Sequence, residues 1–272
     1  NFAILVVELG KTNSPSVQEL LINKIFNYQT LTDWSEALNY INNNTSPNPN
    51  LIIMNSNIMG KSSVGITMEQ VITAILHRKT WNCIPTMLVR KRVDLNMDQF
   101  RKDENITKNL LTPFEHEDFL NAVYTLLKLS IDKHITEVNN QHIELSKRFQ
   151  VLVALVKKQS PDAKIKASLQ KVKEETQQHF QFEENHMQPH NYPGFETHHQ
   201  KHQSLIKLLE QAVEIIKSLT QSQLIEFVQK LRTDIAGDIN DDKEYILFLN
   251  KVYKEIDEEI KNNLSLVMNE KD

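Results

Sequence analysis

The 272-residue chain has one cysteine, Cys83, and only 5 glycines. A lone thiol excludes a disulfide framework and a thiolate zinc site within the chain. Glycines at 10, 60, 65, 194 and 237 cannot be assembled into a Gly-rich phosphate cradle, which excludes the usual nucleotide-binding loops. No apolar run approaches the ~20 residues of a membrane-crossing helix. The charge also lacks a dominant sign: 31 Lys and Arg stand against 35 Asp and Glu, a net charge of −4. That balance argues against nucleic acid or a membrane surface as partner. No signal peptide is visible, so a cytoplasmic setting is expected. No Ser or Cys nucleophile motif stands out, and the chain is not expected to be an enzyme.

What is present is distributed unevenly. Only 2 of the 10 histidines lie in residues 1–128, and 8 follow. A boundary near residue 130 is expected, giving domains at 1–129 and 130–272.

In the first part, FAILVV (2–7), LIIM (51–54) and TMLV (86–89) read as buried parallel strands. Helical spacing of apolar residues marks 17–26, 33–41, 68–77 and 116–129, and the Asn/Pro-rich stretch 42–50 reads as a loop. Strand and helix in alternation predict an α/β, flavodoxin-like, doubly wound sheet.

The second part carries no strand pattern. Helices are expected at about 132–158, 163–187, 196–218, 222–238 and 242–266, with breaks at Ser160-Pro161, 188–194, 220–223 and near Gly237. Short connections between such helices predict an antiparallel four-helix bundle.

The apolar stripes of that bundle contain a polar constellation. Stepping by threes and fours places His142 on the first helix, His179 and Glu183 on the second, His198 and His202 on the third, and Asp238 and Asp242 on the fourth. The polar members begin the first and third stripes and end the second and fourth. Alternating chain direction therefore brings all seven to one end of the bundle. Buried carboxylates and imidazoles are costly unless paired or metal-bound. Seven converging N/O donors without sulfur suit a two-iron or two-manganese centre. His186, His190 and His199 fall off the stripes and read as surface or loop residues, and His134 as a linker residue.

NNQHIEL (139–145), HFQFEENHM (179–187), YPGFETHHQKH (192–202) and DDKEY (241–245) resemble the hemerythrin family, especially its bacterial branch, over about 132–250. The resemblance implies a non-haem centre of two iron ions with O2 as ligand. It assigns His142, His179, His198, His202, Glu183 and Asp242 as ligands, with Glu183 and Asp242 bridging. The family carries a further His shortly before the bridging Asp; none stands in TDIAGDINDDKEY (233–245). Asp238, one turn before Asp242, is the best substitute, ahead of Asp234 and Asp241. A carboxylate in place of an imidazole adds negative charge, favours the ferric state and points to sensing or consuming O2 or peroxide over carrying O2.

ILVVE (4–8), NLIIMNSNIMG (50–60), IPTMLV (84–89) and LLTPFEHEDFLNAV (110–123) resemble the response-regulator receiver domain over about 1–128. Its chemistry is altered. Asn55 stands where the phospho-accepting Asp belongs, the acidic pair is reduced to Glu8 followed by Leu9, Arg90 replaces a Ser/Thr, and Thr112 replaces the Lys before Pro113. An amide forms no acyl phosphate, so the resemblance implies a pseudo-receiver that docks a protein partner or dimerises.

At the C-terminal end, Ile246, Leu249, Tyr253, Ile256, Ile260 and Val267 step by threes and fours, with Asn263 interrupting. That stripe fits either a short seam in a homodimer or a helix packing back on its own bundle. The leading function is an O2-binding or O2/redox-sensing di-iron protein coupled to an interaction domain. The rivals are a di-iron oxidase, peroxidase or iron-handling protein, and an adaptor whose metal only staples the bundle.

Overall fold

A computed structural model describes residues 2–8, 16–21, 26–43, 48–55, 65–78, 81, 84–91 and 106–269. Leu9 and Cys83 lie outside them. The chain folds as two compact units, one of 1–134 with 251–272, and a second of Ile135–Asn250.

The first unit is built on five parallel strands: β1 (Phe2–Glu8), β2 (Phe26–Leu31), β3 (Leu51–Asn55), β4 (Thr86–Lys91) and β5 (Ile106–Thr112). Their order is β2-β1-β3-β4-β5, the doubly wound 2-1-3-4-5 arrangement whose strand order reverses between β1 and β3. The central strands are buried on both faces: every residue of β3 is buried, and β1 exposes only Ala3 in part. This is why they read as continuous apolar runs. β2 and β5 are the sheet edges and were not expected as strands. FNYQTL puts four of its six residues at least partly in solvent, so it lacks the run that marks a buried parallel strand, and Phe26 belongs to this strand instead of the preceding helix.

The helices of this unit are α1 (Val17–Leu21), α2 (Trp34–Asn42), α3 (Met68–His77) and the first part of α4 (His116–Lys157). Asp33 caps α2 by accepting from the Ser35 N–H at 2.6 Å. Thr67 and Gln70 form a reciprocal capping box on α3. Trp34, Ile52, Met54, Trp81 and Leu88 are central to its core.

The second unit is a bundle of the rest of α4, α5 (Asp162–Met187), α6 (Phe195–Ile215) and the part of α7 (Gln221–Asn269) up to Asn250. The ends of α4 and α5 share one stop signal. Gln159 and Asn191 adopt φ of 51°, and the following N–H groups reach back five residues, Ser160 to Leu155 O and Tyr192 to Met187 O. Thr220 and Gln223 cap α7 reciprocally. Phe149, Leu152, Leu169, Val172, Leu209 and Leu231 fill the apolar body of the bundle.

The expected break near Gly237 is absent, and the helices expected at 116–129 and 132–158 are one. α4 is continuous across residues 129–134, and α7 is continuous through Gly237. Glycine weakens a helix by only about 1 kcal/mol, less than the buried stripe on either side supplies. The C-terminal stretch from Lys251 groups with the first unit and not with the bundle. There the Lys128 ammonium pairs with Asp257 and sits 4.4 Å from the Tyr253 ring centroid. Leu249 and Ile256 of the expected seam are buried within the chain.

Candidate metal centre

The seven polar stripe residues converge at one end of the bundle. α4 supplies His142; α5 supplies His179 and Glu183 one turn apart; α6 supplies His198 and His202 one turn apart; α7 supplies Asp238 and Asp242 one turn apart. Glu183, Asp238 and Asp242 are fully buried, and the four histidines nearly so.

Glu183 divides its oxygens between two histidine pairs. Oε1 faces His142 Nε2 at 3.8 Å and His179 Nε2 at 3.5 Å, while Oε2 faces His198 Nε2 at 3.4 Å and His202 Nε2 at 3.6 Å. Asp242 divides its own in the same sense, with Oδ2 at 3.1 Å from His142 Nε2 and Oδ1 at 3.3 Å from His198 Nε2. Two donor groups result, His142–His179–Glu183–Asp242 and Glu183–His198–His202–Asp242, each with donor atoms within 4.8 Å of one another. Both carboxylates belong to both groups. Asp238 joins the second through Oδ2, 3.4 Å from His202 Nε2. Of the three Asp candidates for this place, Asp238 reaches the cluster; Asp241 is directed to Lys201, and Asp234 is partly exposed.

The donor set fits cations. Nε2 of His142, His179 and His202, Glu183 Oε1, Asp238 Oδ2 and both oxygens of Asp242 are buried without a hydrogen-bond partner. Polar atoms in that condition cost free energy unless something binds them. All-N/O donors with several carboxylates suit iron or manganese better than a soft-ligand metal.

The electrostatics of the site follow from this crowding. Burial would lower the His142 imidazole, yet Asp242 and Glu183 raise it to about 9. Burial opposes His202 in the same way, and Asp238 and Glu184 raise it to about 9. Burial dominates at His179 and lowers it to about 4. Asp242 is raised to about 6 by burial and the like charge of Glu183 and Asp238. Burial opposes ionisation of Glu183, but the histidines around it hold it well below the carboxylate range.

A surrounding layer escaped the stripe argument. His179 Nδ1 donates to Gln141 Oε1 at 3.1 Å, and Gln141 Nε2 donates to Glu137 at 2.9 Å. His202 Nδ1 donates to Glu184 Oε1 at 2.8 Å, and its ring stacks on Phe180 at 3.7 Å. Each contact occupies Nδ1 and leaves Nε2 aimed at the cluster, the usual means of orienting a metal-binding imidazole. Gln141 and Glu184 are sequence neighbours of His142 and Glu183 but sit at the flank of the stripe. Only their adjacency could have marked them. A cavity of about 350 Å³, lined by Glu137, Gln141, Glu144, Arg148, Glu175 and His179, reaches this edge of the site.

Of the remaining histidines, His134 departs from expectation, and His190 is a loop residue that is buried. His190 is buried in the turn between α5 and α6, and burial lowers its imidazole to about 3. His186 Nδ1 lies 2.7 Å from the hydroxyl of buried Tyr245. His134 is a buried residue inside α4, not a linker. His199 is partly exposed and pairs with Glu184 at 3.0 Å.

In the first unit, Glu8, Asn55, Arg90 and Thr112 stand at the carboxyl ends of β1, β3, β4 and β5, where doubly wound sheets hold their ligands. Asn55 Nδ2 donates to Glu8 Oε1 at 2.6 Å, and the Glu8 carboxylate also accepts from the Val17 N–H at 3.1 and 3.2 Å. The acidic group is thereby engaged by neutral donors. Thr112 Oγ1 donates to Arg90 O at 3.4 Å, and Arg90 is buried.

No helix among the described residues is long and apolar enough to cross a membrane. No curated protein matches the chain. Among solved structures, the receiver domain of sensor histidine kinase PA1611 from Pseudomonas aeruginosa PAO1 is similar at 12% identity and a TM-score of 0.37, over 46% of this chain and 97% of that one. Residues 133–246, which carry all seven clustered side chains, match the family model of the hemerythrin HHE cation binding domain.

Proposed function

We propose that this chain is a non-haem di-iron protein of hemerythrin type that binds O2 or senses O2 and redox state. Its first unit acts as a phosphorylation-incompetent, receiver-like interaction domain. One observation carries the metal reading: Glu183 and Asp242 each offer one oxygen to each of two histidine-containing donor groups. His142 and His179 would hold one cation and His198 and His202 a second, with Glu183 and Asp242 available to both, and the orphaned donors would then have partners. Iron bound there would supply redox chemistry toward O2.

The chain's own residues do the rest. His142, His179, His198 and His202 donate through Nε2, and Gln141 and Glu184 hold two of these rings in the required orientation. The buried walls limit water, and the cavity beside His179 gives a small molecule a path to the edge of the site. On the receiver-like side, the Asn55–Glu8 hydrogen bond supports docking over phosphorylation. Its partner is a protein or a second copy of the chain, in a cytoplasmic setting.

A second reading, a di-iron oxidase or peroxidase, is favoured by the third buried carboxylate, Asp238. Metal analysis and visible spectra of the purified chain, reduced without air and then exposed to O2, test both. About two irons per chain and charge-transfer bands that fade under vacuum support O2 binding. A permanent ferric spectrum favours the sensor of redox state or the enzyme, and peroxide turnover then selects the enzyme. One zinc, or no metal and no spectral change, overturns the di-iron reading.

A further inference from the structure

Lys201 occupies the solvent edge of the site on α6, one residue before His202. Its Nζ lies 3.3 Å from Asp238 Oδ1 and 2.5 Å from Asp241 Oδ2. Asp238 is fully buried, Lys201 about one-third exposed and Asp241 mostly exposed. The two oxygens of Asp238 therefore face different charges: Oδ1 meets the ammonium, and Oδ2 points inward to His202 Nε2. Asp241 holds the ammonium from the other side, so the cation stays in place when Asp238 engages something else.

We infer that Lys201 sets the net charge of the cluster, making Asp238 act toward a bound cation as a nearly neutral donor. The inference rests on the reading of the cluster as a cation site. A fixed positive charge one carboxylate away repels a bound ion in proportion to that ion's charge, so it weakens trivalent binding more than divalent binding. Lys201 thus offsets the negative charge that Asp238 brings, and it raises the reduction potential of a redox metal held there. Lys201 is a positioning residue that acts through Asp238.

The sign of the effect separates this role from a structural one. Loss of a structural lysine loosens a site; loss of a repelling charge tightens it. The test uses the full chain as wild type, Lys201→Gln and Lys201→Arg. Mn²⁺ affinity is measured by chelator competition at pH 8, and the midpoint potential is measured on the iron-loaded protein. Lys201→Gln should bind Mn²⁺ about tenfold tighter than wild type, the scale of one partly screened charge. Its potential should be lower, while Lys201→Arg keeps both values. Lys201→Met, which lacks charge and hydrogen bonding alike, should follow Lys201→Gln. Equal or weaker Mn²⁺ binding by both neutral variants, beside a wild type that binds, overturns the inference and leaves the cation site standing. A wild-type chain that takes up neither metal overturns both.

Discussion

Glu183 and Asp242 share His142 and His198: each carboxylate places one oxygen on each ring, at 3.8 and 3.4 Å from Glu183 and 3.1 and 3.3 Å from Asp242. The two acids come from different helices, α5 and α7, and meet the same pair of imidazoles. This makes the two donor groups interdependent. Replacing Glu183 or Asp242 by Ala should remove both cations together, whereas His179→Ala or His202→Ala should mainly deplete one group. Metal content by mass spectrometry checks this. Loss of a single cation on replacing Glu183 would count against a bridging role.

Gln141 and Glu184 act one layer out, through Nδ1 of His179 and His202. Gln141→Ala and Glu184→Ala should each weaken metal affinity by roughly 10- to 100-fold while leaving secondary structure intact. Glu184 should have the larger effect, because its charge also supports His202. Chelator competition on the two variants measures the loss. Wild-type affinity in both would mean that packing alone, including Phe180 against His202, fixes the rings.

Metal loading should release protons. In the metal-free chain His142 and His202 are each raised to about 9 by neighbouring carboxylates, against the pull of burial. Both rings hold a proton at neutral pH and must lose it to bind a cation through Nε2. About two protons should therefore leave per loaded site at pH 7 to 8. Affinity should rise with pH until about 9, and fall more steeply below about 6, where Asp242 also takes up a proton. Calorimetry in buffers of different ionisation enthalpy counts the protons; release near zero would mean that these rings are neutral before loading.

The Asn55–Glu8 contact makes a prediction for the first unit. Asn55→Asp replaces a donated hydrogen bond of 2.6 Å with two buried carboxylates at contact distance. The variant should lose about 2 kcal/mol or more at pH 7. A divalent cation such as Mg²⁺ should restore part of the loss. Thermal melts of the full chain with and without Mg²⁺ read both effects. A variant as stable as wild type without Mg²⁺ would show that this crevice tolerates paired acids.

How far the sequence carried the reading depended on burial. β1, β3 and β4 are buried on both faces and were legible as apolar runs; β2 and β5 are edges, and FNYQTL in particular exposes too much to carry that mark. The seven stripe residues were legible because three- and four-residue spacing fixes which side chains share a helix face. Gln141, Glu184 and Lys201 were not, since they touch the site from the stripe's margin and the contacts depend on which neighbouring helix lies beside them. His190 was legible as a loop residue but not as a buried one, for a related reason. It sits in a connection, where periodicity says nothing, and tertiary packing buries it.

That burial sets an acid limit on the bundle. His190 is 4% exposed, and burial lowers its imidazole to about 3 from an ordinary 6.5. The folded value lies below the unfolded one, so on acidification the unfolded chain takes up the proton first. The stability that rests on a neutral His190 is fully present above about pH 6.5 and drains away as pH falls toward 3. Between pH 6.5 and 5 the loss should be on the order of 2 kcal/mol. His179 is lowered in the same direction, so a difference measurement is needed. His190→Phe keeps a ring against His186, whose centroid lies 4.5 Å away, and removes the titration. Urea unfolding of metal-free wild type and His190→Phe at pH 7 and pH 5 should give the variant the smaller acid loss. Equal losses would place the protonation of His190 outside the unfolding equilibrium and leave the acid sensitivity to His179 and the rest of the cluster.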